Sequence, residues 1–416
     1  MYDLLKGYGI KLLVIAGLLT ACQGQTDHYV QVTNPLSKTR PDARITMVRN
    51  QLAEIYPYLI KGTFVVQNDE GENVPFQRDD MNGDGQWDQL ALLLDLPANG
   101  SAKLMLREAD EVPDFTDRAN IWFAKRDSAT GEYNPITEEM RPEGYHRIMN
   151  PPYLYQFEGP GWENDKMGFR MYFDNRNAND IWGKKTTDMV LSQIGTGEDY
   201  HTMQPWGMDV LHVGRSLGAG GIAAMDGDSL YALGATDQAE FTQVADGPVR
   251  AVLDLTYRGW KVGSQNLDIR ERISIWGGQQ GFQNEVSLLN SDTQTTLAAG
   301  IVTVKLPGKP DFAGDQAPFP YVAGWGAQSQ HHDNLGMAVV GTSKSFQGYG
   351  QRFLNPNGVD STAFAKFTLS SDQPVPYRFV AGWEVGDPGF ARKAYFMKAV
   401  SDEGERLNNP VQVQMH

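Results

Sequence analysis

Cysteine is almost absent from this sequence of 416 residues, where Cys22 is the only one. A disulfide within the chain is therefore excluded, and so is a thiol catalyst in the mature protein if Cys22 ends a leader. Basic residues are also scarce, with 36 Lys and Arg against 51 Asp and Glu and a formal net charge of −15. General nucleic-acid binding needs a basic surface and is excluded. An anionic oligosaccharide needs only a local basic cluster and stays open.

The apolar run at residues 12–19 is also shorter than the ~20 residues that a transmembrane helix needs. Lys6 and Lys11 precede it, and Leu19-Thr20-Ala21-Cys22 follows, which resembles the lipobox of bacterial lipoproteins. We predict a lipoprotein signal peptide at residues 1–22, a lipidated Cys22 and a tether at 23–28. The protein would face the periplasm or cell surface at the outer membrane, held only by its lipid anchor. An ordinary cleaved signal peptide is the alternative.

The remaining residues, 29–416, contain many short alternating segments and little helical periodicity. The 44 Gly and 22 Pro are typical of a chain with many turns. We predict a single all-β domain, a large antiparallel β-sandwich. One helix is predicted, capped by Asp387, while residues 44–60 are ambiguous between strand and helix. Strands are predicted at residues 29–33, 63–67, 90–94, 101–108, 251–258, 267–275, 283–290, 301–306, 335–341, 363–369 and 377–383.

The segment at residues 161–188 carries the densest mixture of charged, amide and aromatic residues. Alternation in a strand puts Phe169, Met171 and Phe173 on one face, which can be buried, and the residues between them on the other. The polar face carries Arg170, Tyr172 and Asp174, and Arg176, Asp180, Lys184 and Lys185 follow. They suit a site for an anionic, sugar-like ligand, and a solvated sheet face with ion pairs is the alternative.

An acidic turn at residues 80–88 matches the first nine positions of a calcium-binding loop. Its oxygen ligands would be Asp80, Asn82, Asp84 and Asp88, whereas the twelfth position is Ala91 rather than the usual Glu. Two interpretations stay open, a structural calcium site and a tight hairpin turn rich in Asx residues. No other cofactor is expected.

Several motifs of the chain resemble one family as a set. They are Val32-Thr33-Asn34-Pro35-Leu36-Ser37, Asp84-Gly85-Gln86-Trp87-Asp88, residues 166–177, Asp180-Ile181-Trp182-Gly183-Lys184, Trp206-Gly207-Met208-Asp209 and residues 213–221. The family consists of secreted bacterial proteins of formerly unknown function, found with polysaccharide-degrading enzymes, and includes ulvan oligosaccharide dehydratases. The resemblance implies a sandwich of the galactose-mutarotase (supersandwich) type. It also implies elimination of water from a non-reducing-end uronic acid to give an unsaturated sugar.

Such an elimination needs a base for the proton at C5, a proton donor for the 4-hydroxyl, and cations for the sugar carboxylate. The candidates for these catalytic roles are Tyr172, His201, Arg170 and Lys184. Asp174, Arg176, Trp206, Asp209 and His212 are predicted to bind or orient the substrate, with Asp209 beside His201 and Trp206 stacked on the sugar. The alternatives are a surface lipoprotein that binds glycans without catalysis and a sugar epimerase on the same fold.

Overall fold

A computed structural model describes residues 28–145, 152–234, 236–289, 294–313, 318–353 and 358–416. The predicted signal peptide, the lipidated Cys22 and residues 23–27 of the tether lie outside the described residues. Within the described ranges, neither α-helix is long and apolar enough to cross a membrane.

Short strands account for most of the ordered backbone in the described ranges. The first fourteen are β1 Val30–Thr33, β2 Arg40–Val48, β3 Phe64–Gln67, β4 Phe76–Asp79, β5 Gln89–Leu96, β6 Ser101–Glu108, β7 Ala119–Trp122, β8 Ala124–Arg126, β9 Tyr133–Pro135, β10 Glu138–Met140, β11 Gly161–Asn164, β12 Met167–Met171, β13 Asn179–Lys184 and β14 Gly207–Asp209. The others are β15 Ala219–Asp226, β16 Ser229–Ala232, β17 Gln238–Ala245, β18 Arg250–Val262, β19 Gln265–Trp276, β20 Gly281–Leu288, β21 Thr295–Val302, β22 Asp311–Phe312, β23 Tyr321–Gly326, β24 Leu335–Gly341, β25 Phe346–Arg352, β26 Thr362–Leu369, β27 Val375–Trp383 and β28 Gln412–Met415. The helices are α1 Arg49–Ile55 and α2 Lys393–Asn408, with 3₁₀ turns at Leu59–Lys61, Leu191–Gln193 and Pro388–Ala391.

A nine-stranded antiparallel sheet, in the order β10-β17-β18-β19-β20-β27-β24-β23-β22, forms one layer of the main body. Two five-stranded sheets face it, with the orders β14-β13-β12-β11-β7 and β16-β15-β21-β26-β25. The rings of Phe169 on β12 and Phe282 on β20 lie 4.9 Å apart across the interface, and Phe379 on β27 is 5.9 Å from Phe169. The predicted all-β antiparallel sandwich with few helices is therefore confirmed.

Two smaller sheets from the N-terminal part pack against one another around a second core. They have the orders β28-β1-β6-β3 and β2-β5-β4, and Val32, Ile45, Leu52 and Leu104 are among the residues buried between them and α1. The helix α2 covers the outer face of the nine-stranded sheet through Phe396 and Val400. That residues 29–416 act as one domain stays a prediction.

Three segments resolve or correct the sequence-based prediction. Residues 44–60 contain the end of β2 followed directly by α1, so both tendencies in this ambiguous segment are real. The strand predicted at 301–306 ends instead at Val302, because β21 begins at Thr295 and runs through the small residues Ala298, Ala299 and Gly300. Asp387 acts as a cap, as predicted, because its carboxylate accepts a 2.8 Å hydrogen bond from the Gly389 amide. The element that it caps is a 3₁₀ turn that precedes α2, rather than α2 itself.

The apolar face predicted for the central strand is confirmed, because Phe169, Met171 and Phe173 are all buried. A Met171→Ala substitution is expected to destabilise the protein by about 2–5 kcal/mol through the cavity it leaves. Urea unfolding measures this loss, with the exposed Met203→Ala as a control that is expected to change stability by at most about 0.5 kcal/mol. Equal losses in the two variants would contradict the burial of Met171.

Glu271 on β19 is a buried carboxyl in the main core, where the Asn284 amide donates to it over 2.5 Å. Burial raises the pKa of Glu271 from 4.5 to about 7, against the opposing effect of Asn284. Since the folded state holds the proton more tightly than the unfolded state, wild-type stability falls as the pH rises from about 4.5 to about 7.

A Glu271→Gln variant does not titrate and should gain stability over the wild type across that window. At about 1.4 kcal/mol per pH unit, the gain approaches about 3 kcal/mol above the folded pKa. Urea unfolding of both proteins at several pH values measures the difference, and a difference that does not change with pH would refute this account.

Candidate active site

The candidate site is built on the antiparallel pairing of β12 with β13, which places Asp180 directly opposite Arg170. The Arg170 Nη2 atom donates to Asp180 over 2.8 Å and to Asp209 over 2.6 Å, while Nη1 lies 3.2 Å from Glu158. The Arg170 side chain is only 2% exposed. One guanidinium therefore compensates three buried carboxylates, an arrangement that only close pairing makes tolerable in the protein interior.

Aromatic rings enclose the same guanidinium. The Arg170 Cζ atom lies 4.3 Å from the ring centroid of Trp182, 5.1 Å from that of Tyr172 and 5.3 Å from that of Tyr200. The negative faces of these rings attract the cation and exclude water from it. Both effects keep Arg170 charged and fixed in position.

The Tyr172 phenol donates a hydrogen bond to the Asp180 carboxylate. Burial, followed by the negative charge of Asp180, raises the pKa of Tyr172 well above its ordinary value. The phenol therefore keeps its proton at neutral pH. The Arg176 Cζ atom lies 4.0 Å from the Tyr172 ring centroid and the Arg170 Cζ atom lies 5.1 Å from it, so two guanidinium groups lie close to the ring.

His201 lies at the solvent edge of the site, with its side chain 55% exposed and its Nδ1 atom 3.4 Å from the Asp209 Oδ2 atom. Desolvation, followed by the positive charge of Arg170, lowers the pKa of His201, so the imidazole is neutral at pH 7. Burial and the neighbouring Asp180 raise the pKa of Asp209 well above its ordinary value. The contacts therefore run in one chain from Tyr172 through Asp180, Arg170 and Asp209 to His201, which we term the Arg170 chain.

A surface cavity of about 610 Å³ lies beside the turn that follows β12. Arg141 and Asn175 are among its lining residues, and the Arg141 Nη1 atom donates to the Asp174 carbonyl oxygen over 2.9 Å. The carboxylate of Asp174 is buried and accepts bonds of 2.9 and 2.6 Å from Arg176, whose side chain is 40% exposed. The cavity is large enough for a small oligosaccharide.

The structure pairs two of the predicted catalytic cations with buried carboxylates. Lys184 does not join Tyr172 and His201, because its Nζ atom is fully buried and bonds Glu163 over 2.6 Å and the Asn164 carbonyl oxygen over 2.7 Å. Arg170 does not face a ligand, because carboxylates and rings surround it. Both side chains lie on the polar face that the alternation predicts, but packed loops cover that face.

The remaining predicted residues are divided between the site and its surroundings. Asp209 is brought to His201 as predicted. Trp206 is nearly buried and packs edge-on against Trp182 at 5.9 Å, and it also lines a surface cavity of about 680 Å³, so its stacking on a sugar stays a prediction. His212 is exposed, three residues beyond Asp209.

The acidic turn folds as a set of Asx turns. Asp80 accepts bonds from the amides of Gly83, Asp84 and Gly85, Asn82 accepts one from Asp84, and Asp88 accepts one from Met81. Across the described ranges, no group of three or more His, Cys, Asp and Glu residues is arranged to hold a metal ion. The calcium site stays a prediction, and a melting temperature that falls with a chelator and recovers with calcium would support it.

Sequence reasoning assigned no role to three members of the site, namely Glu158, Asp180 and Tyr200. The signal for Asp180 was available, because a hairpin between residues 171 and 179 puts it opposite Arg170. No comparable signal exists for Glu158 and Tyr200, since both come from irregular loops. His331 is similarly distant in sequence, yet its Nε2 atom lies 3.2 Å from the His201 carbonyl oxygen.

Comparison with known proteins finds similarity to a relative and to solved structures, two of which are described below. "Uncharacterized protein P7" of Formosa agariphila is 24% identical over 314 residues, which cover 68% of this chain and 76% of that protein. An α-mannosidase from Enterococcus faecalis has a TM-score of 0.44 at 10% identity over 94% of this chain and 46% of its own. A protein in glycosyl hydrolase family 38 from the same organism has a TM-score of 0.41 at 12% identity, with 94% and 47% covered.

The chain thus spans just under half the length of both solved structures. A family model matches residues 32–413, which include nearly all of the described ranges. On that match, the chain belongs to the family described as "Domain of unknown function (DUF4861)".

Proposed function

We propose that this protein is a carbohydrate-active dehydratase. It eliminates water from the non-reducing-end uronic acid of anionic, ulvan-type oligosaccharides and leaves an unsaturated sugar. The observation that carries the proposal is the pair at the two ends of the Arg170 chain: a phenol held protonated and an imidazole held neutral. Titratable groups whose environments move their pKa values apart are suited to act as acid and base in one reaction.

The two groups take definite roles in this elimination. The His201 Nε2 atom removes the proton from C5 of the uronate, with the Nδ1 proton directed towards Asp209. The electron pair of that C–H bond forms the C4–C5 double bond, and the C4–O bond breaks. Tyr172 supplies the proton with which the leaving hydroxyl departs as water. Tyr172 then regains a proton, His201 loses one, and the enzyme is reset.

The substrate carboxylate is assigned to Arg176. Charge develops on this carboxylate as the neighbouring C5 proton leaves, so a nearby cation stabilises the transition state. Arg176 is half-exposed and lies over the Tyr172 ring, whereas Arg170 and Lys184 are buried against carboxylates. The rest of the oligosaccharide occupies the cavity lined by Arg141 and Asn175.

Incubation of the purified protein with uronate-ended oligosaccharides tests the proposal. We expect a rise in the absorbance of unsaturated uronate and a product lighter than the substrate by one water. A shortened chain would indicate a polysaccharide lyase instead. Exchange of the C5 proton with deuterated water, without loss of mass as water, would indicate an epimerase. Binding without any chemical change would indicate a glycan-binding protein.

We further propose that Cys22 anchors the protein at the outer membrane. The lipobox-like sequence supports this, and Gln23 is not the acidic residue that would retain a lipoprotein at the inner membrane. A Cys22→Ser variant should fail to be processed or should leave the membrane fraction. Normal processing of that variant together with retention in membranes would refute the anchor.

A further inference from the structure

Four arginines from three elements meet on the far side of the nine-stranded sheet. Arg40 and Arg44 lie on β2, Arg378 lies on β27 and Arg406 lies on α2, and all four line one cavity of about 130 Å³. The cavity is well below the roughly 300–1,000 Å³ of pockets that hold drug-sized ligands. It has room for a small ion but not for an oligosaccharide.

The charge in this four-arginine cavity is poorly balanced by the protein. Glu403 bonds Arg44 over 2.7 Å, Arg378 over 2.9 Å and Arg406 over 3.0 Å. Arg40 donates only to the carbonyl oxygens of Arg406 and Asn409. Asp42 also lines the cavity, but its carboxylate is held by Arg118 at 2.6 and 3.0 Å. Four guanidinium groups therefore share a single carboxylate among the described residues.

Three of these guanidinium groups also carry a buried nitrogen that has no hydrogen-bond partner in the described part of the chain. They are the Nε atom of Arg40, the Nη1 atom of Arg44 and the Nε atom of Arg378. Arg40 is only 3% exposed and Arg378 only 8%. Leaving a buried charged donor unpaired costs more free energy than leaving a neutral donor unpaired. All three atoms belong to side chains that line the same cavity, so the protein pairs the donors of this cluster incompletely.

The electrostatics agree with this geometry. Burial, followed by the charge of Arg44, lowers the pKa of Arg378 well below its ordinary value. Burial lowers the pKa of Arg40 to about 10, with Arg406 and Arg44 adding to the effect. The protein alone therefore penalises the charged state of these side chains.

We propose that the four-arginine cavity binds one small tetrahedral oxyanion, sulfate or phosphate, independently of the candidate active site. Guanidinium groups present planar pairs of donors that match the oxygens of such ions. The bound ion would join β2 of the N-terminal sheets to β27 and α2. It would act as a structural ligand between the two cores.

Thermal melting of the purified chain in sulfate or phosphate, at an ionic strength held constant with chloride, tests the proposal. A saturable rise of about 2 °C is expected when the ion reaches ten times its Kd. Equilibrium dialysis with labelled sulfate should give one ion per chain. A sulfated monosaccharide is the third probe, because an esterified sulfate presents the same oxygens on a larger group.

Arg44→Met and the more exposed Arg406→Met should both lose the saturable response, and the second variant covers the case in which the first does not fold. Arg258→Met is the matched control, because Arg258 is 52% exposed and paired with Asp268. It should respond like the wild type. Binding of free sulfate or of the sulfated monosaccharide supports the site if it is lost on substitution of Arg44 or Arg406. Which of the two probes binds shows whether the natural ligand is a free or an esterified ion. No saturable binding of any probe, or equal responses in all variants, would overturn it.

Discussion

A His201→Gln variant is expected to lose about 10²–10⁴-fold in turnover on uronate-ended oligosaccharides, the usual contribution of a positioned general base. Its melting temperature should stay close to that of the wild type, because the His201 side chain is 55% exposed. The rate of formation of unsaturated uronate measures the loss. The wild-type rate should also fall at low pH, as the imidazole becomes protonated below its lowered pKa.

Two further variants separate His201 from its neighbours. Tyr172→Phe should lose activity on a similar scale, because the ring stays in place while the transferable proton is gone. His212→Gln should retain near-normal turnover, since that exposed side chain stands outside the Arg170 chain. Should His212→Gln be inactive while His201→Gln and Tyr172→Phe turn over normally, the base would be His212 and the proposed roles would be wrong.

Replacement of Arg170 by Met is expected to destabilise the protein by about 3–5 kcal/mol. The substitution removes the only Lys or Arg that contacts Asp180 and Asp209 among the described residues, and it also removes one of the arginines paired with Glu158. The unpaired carboxylates would then have raised pKa values in the folded state. Stability of the variant should therefore fall further below that of the wild type as the pH rises above about 4.

Urea unfolding at several pH values measures this effect, and Arg176→Met is the matched control. Arg176 also bonds Asp174 and Glu158, but its side chain is 40% exposed, so water replaces part of what the substitution removes. A smaller loss of stability is expected, together with a raised KM. A stable Arg170→Met protein that binds substrate poorly would instead mean that Arg170 contacts the substrate.

Much of the fold could be predicted from the sequence, because apolar and polar residues alternate along strands that bury one face. Residues 101–108 and 335–341 were predicted with the observed ends, although only the first strand alternates and all seven residues of the second are buried. The bounds of β21 were predicted wrongly, because its small residues give only a weak hydrophobic periodicity. Three sheets surround the main core and two smaller sheets surround the second core. This division depends on which strands pair over long distances in sequence, and hydrophobic periodicity does not encode that pairing.

The site was predicted only in part for a similar reason. Alternation correctly separated Phe169, Met171 and Phe173 from Arg170 and Tyr172, but it says nothing about what lies above the polar face. The loops that carry Glu158 and Tyr200 cover that face. Arg170 is therefore buried, although the sequence suggested that it faces a ligand. The distant residues could be found only from the folded chain.

The pairing of β1 with β28, in which Val30 lies opposite Met415, sets an order on the biosynthesis of the protein. A ribosome releases residues 28–108 long before residues 412–415 exist, so the small N-terminal sheets lack an edge strand until translation is nearly complete. During that interval β1 exposes an unpaired edge, which is a template for pairing with other chains. Nascent chains halted before residue 412 should therefore depend on chaperones more than full-length chains do.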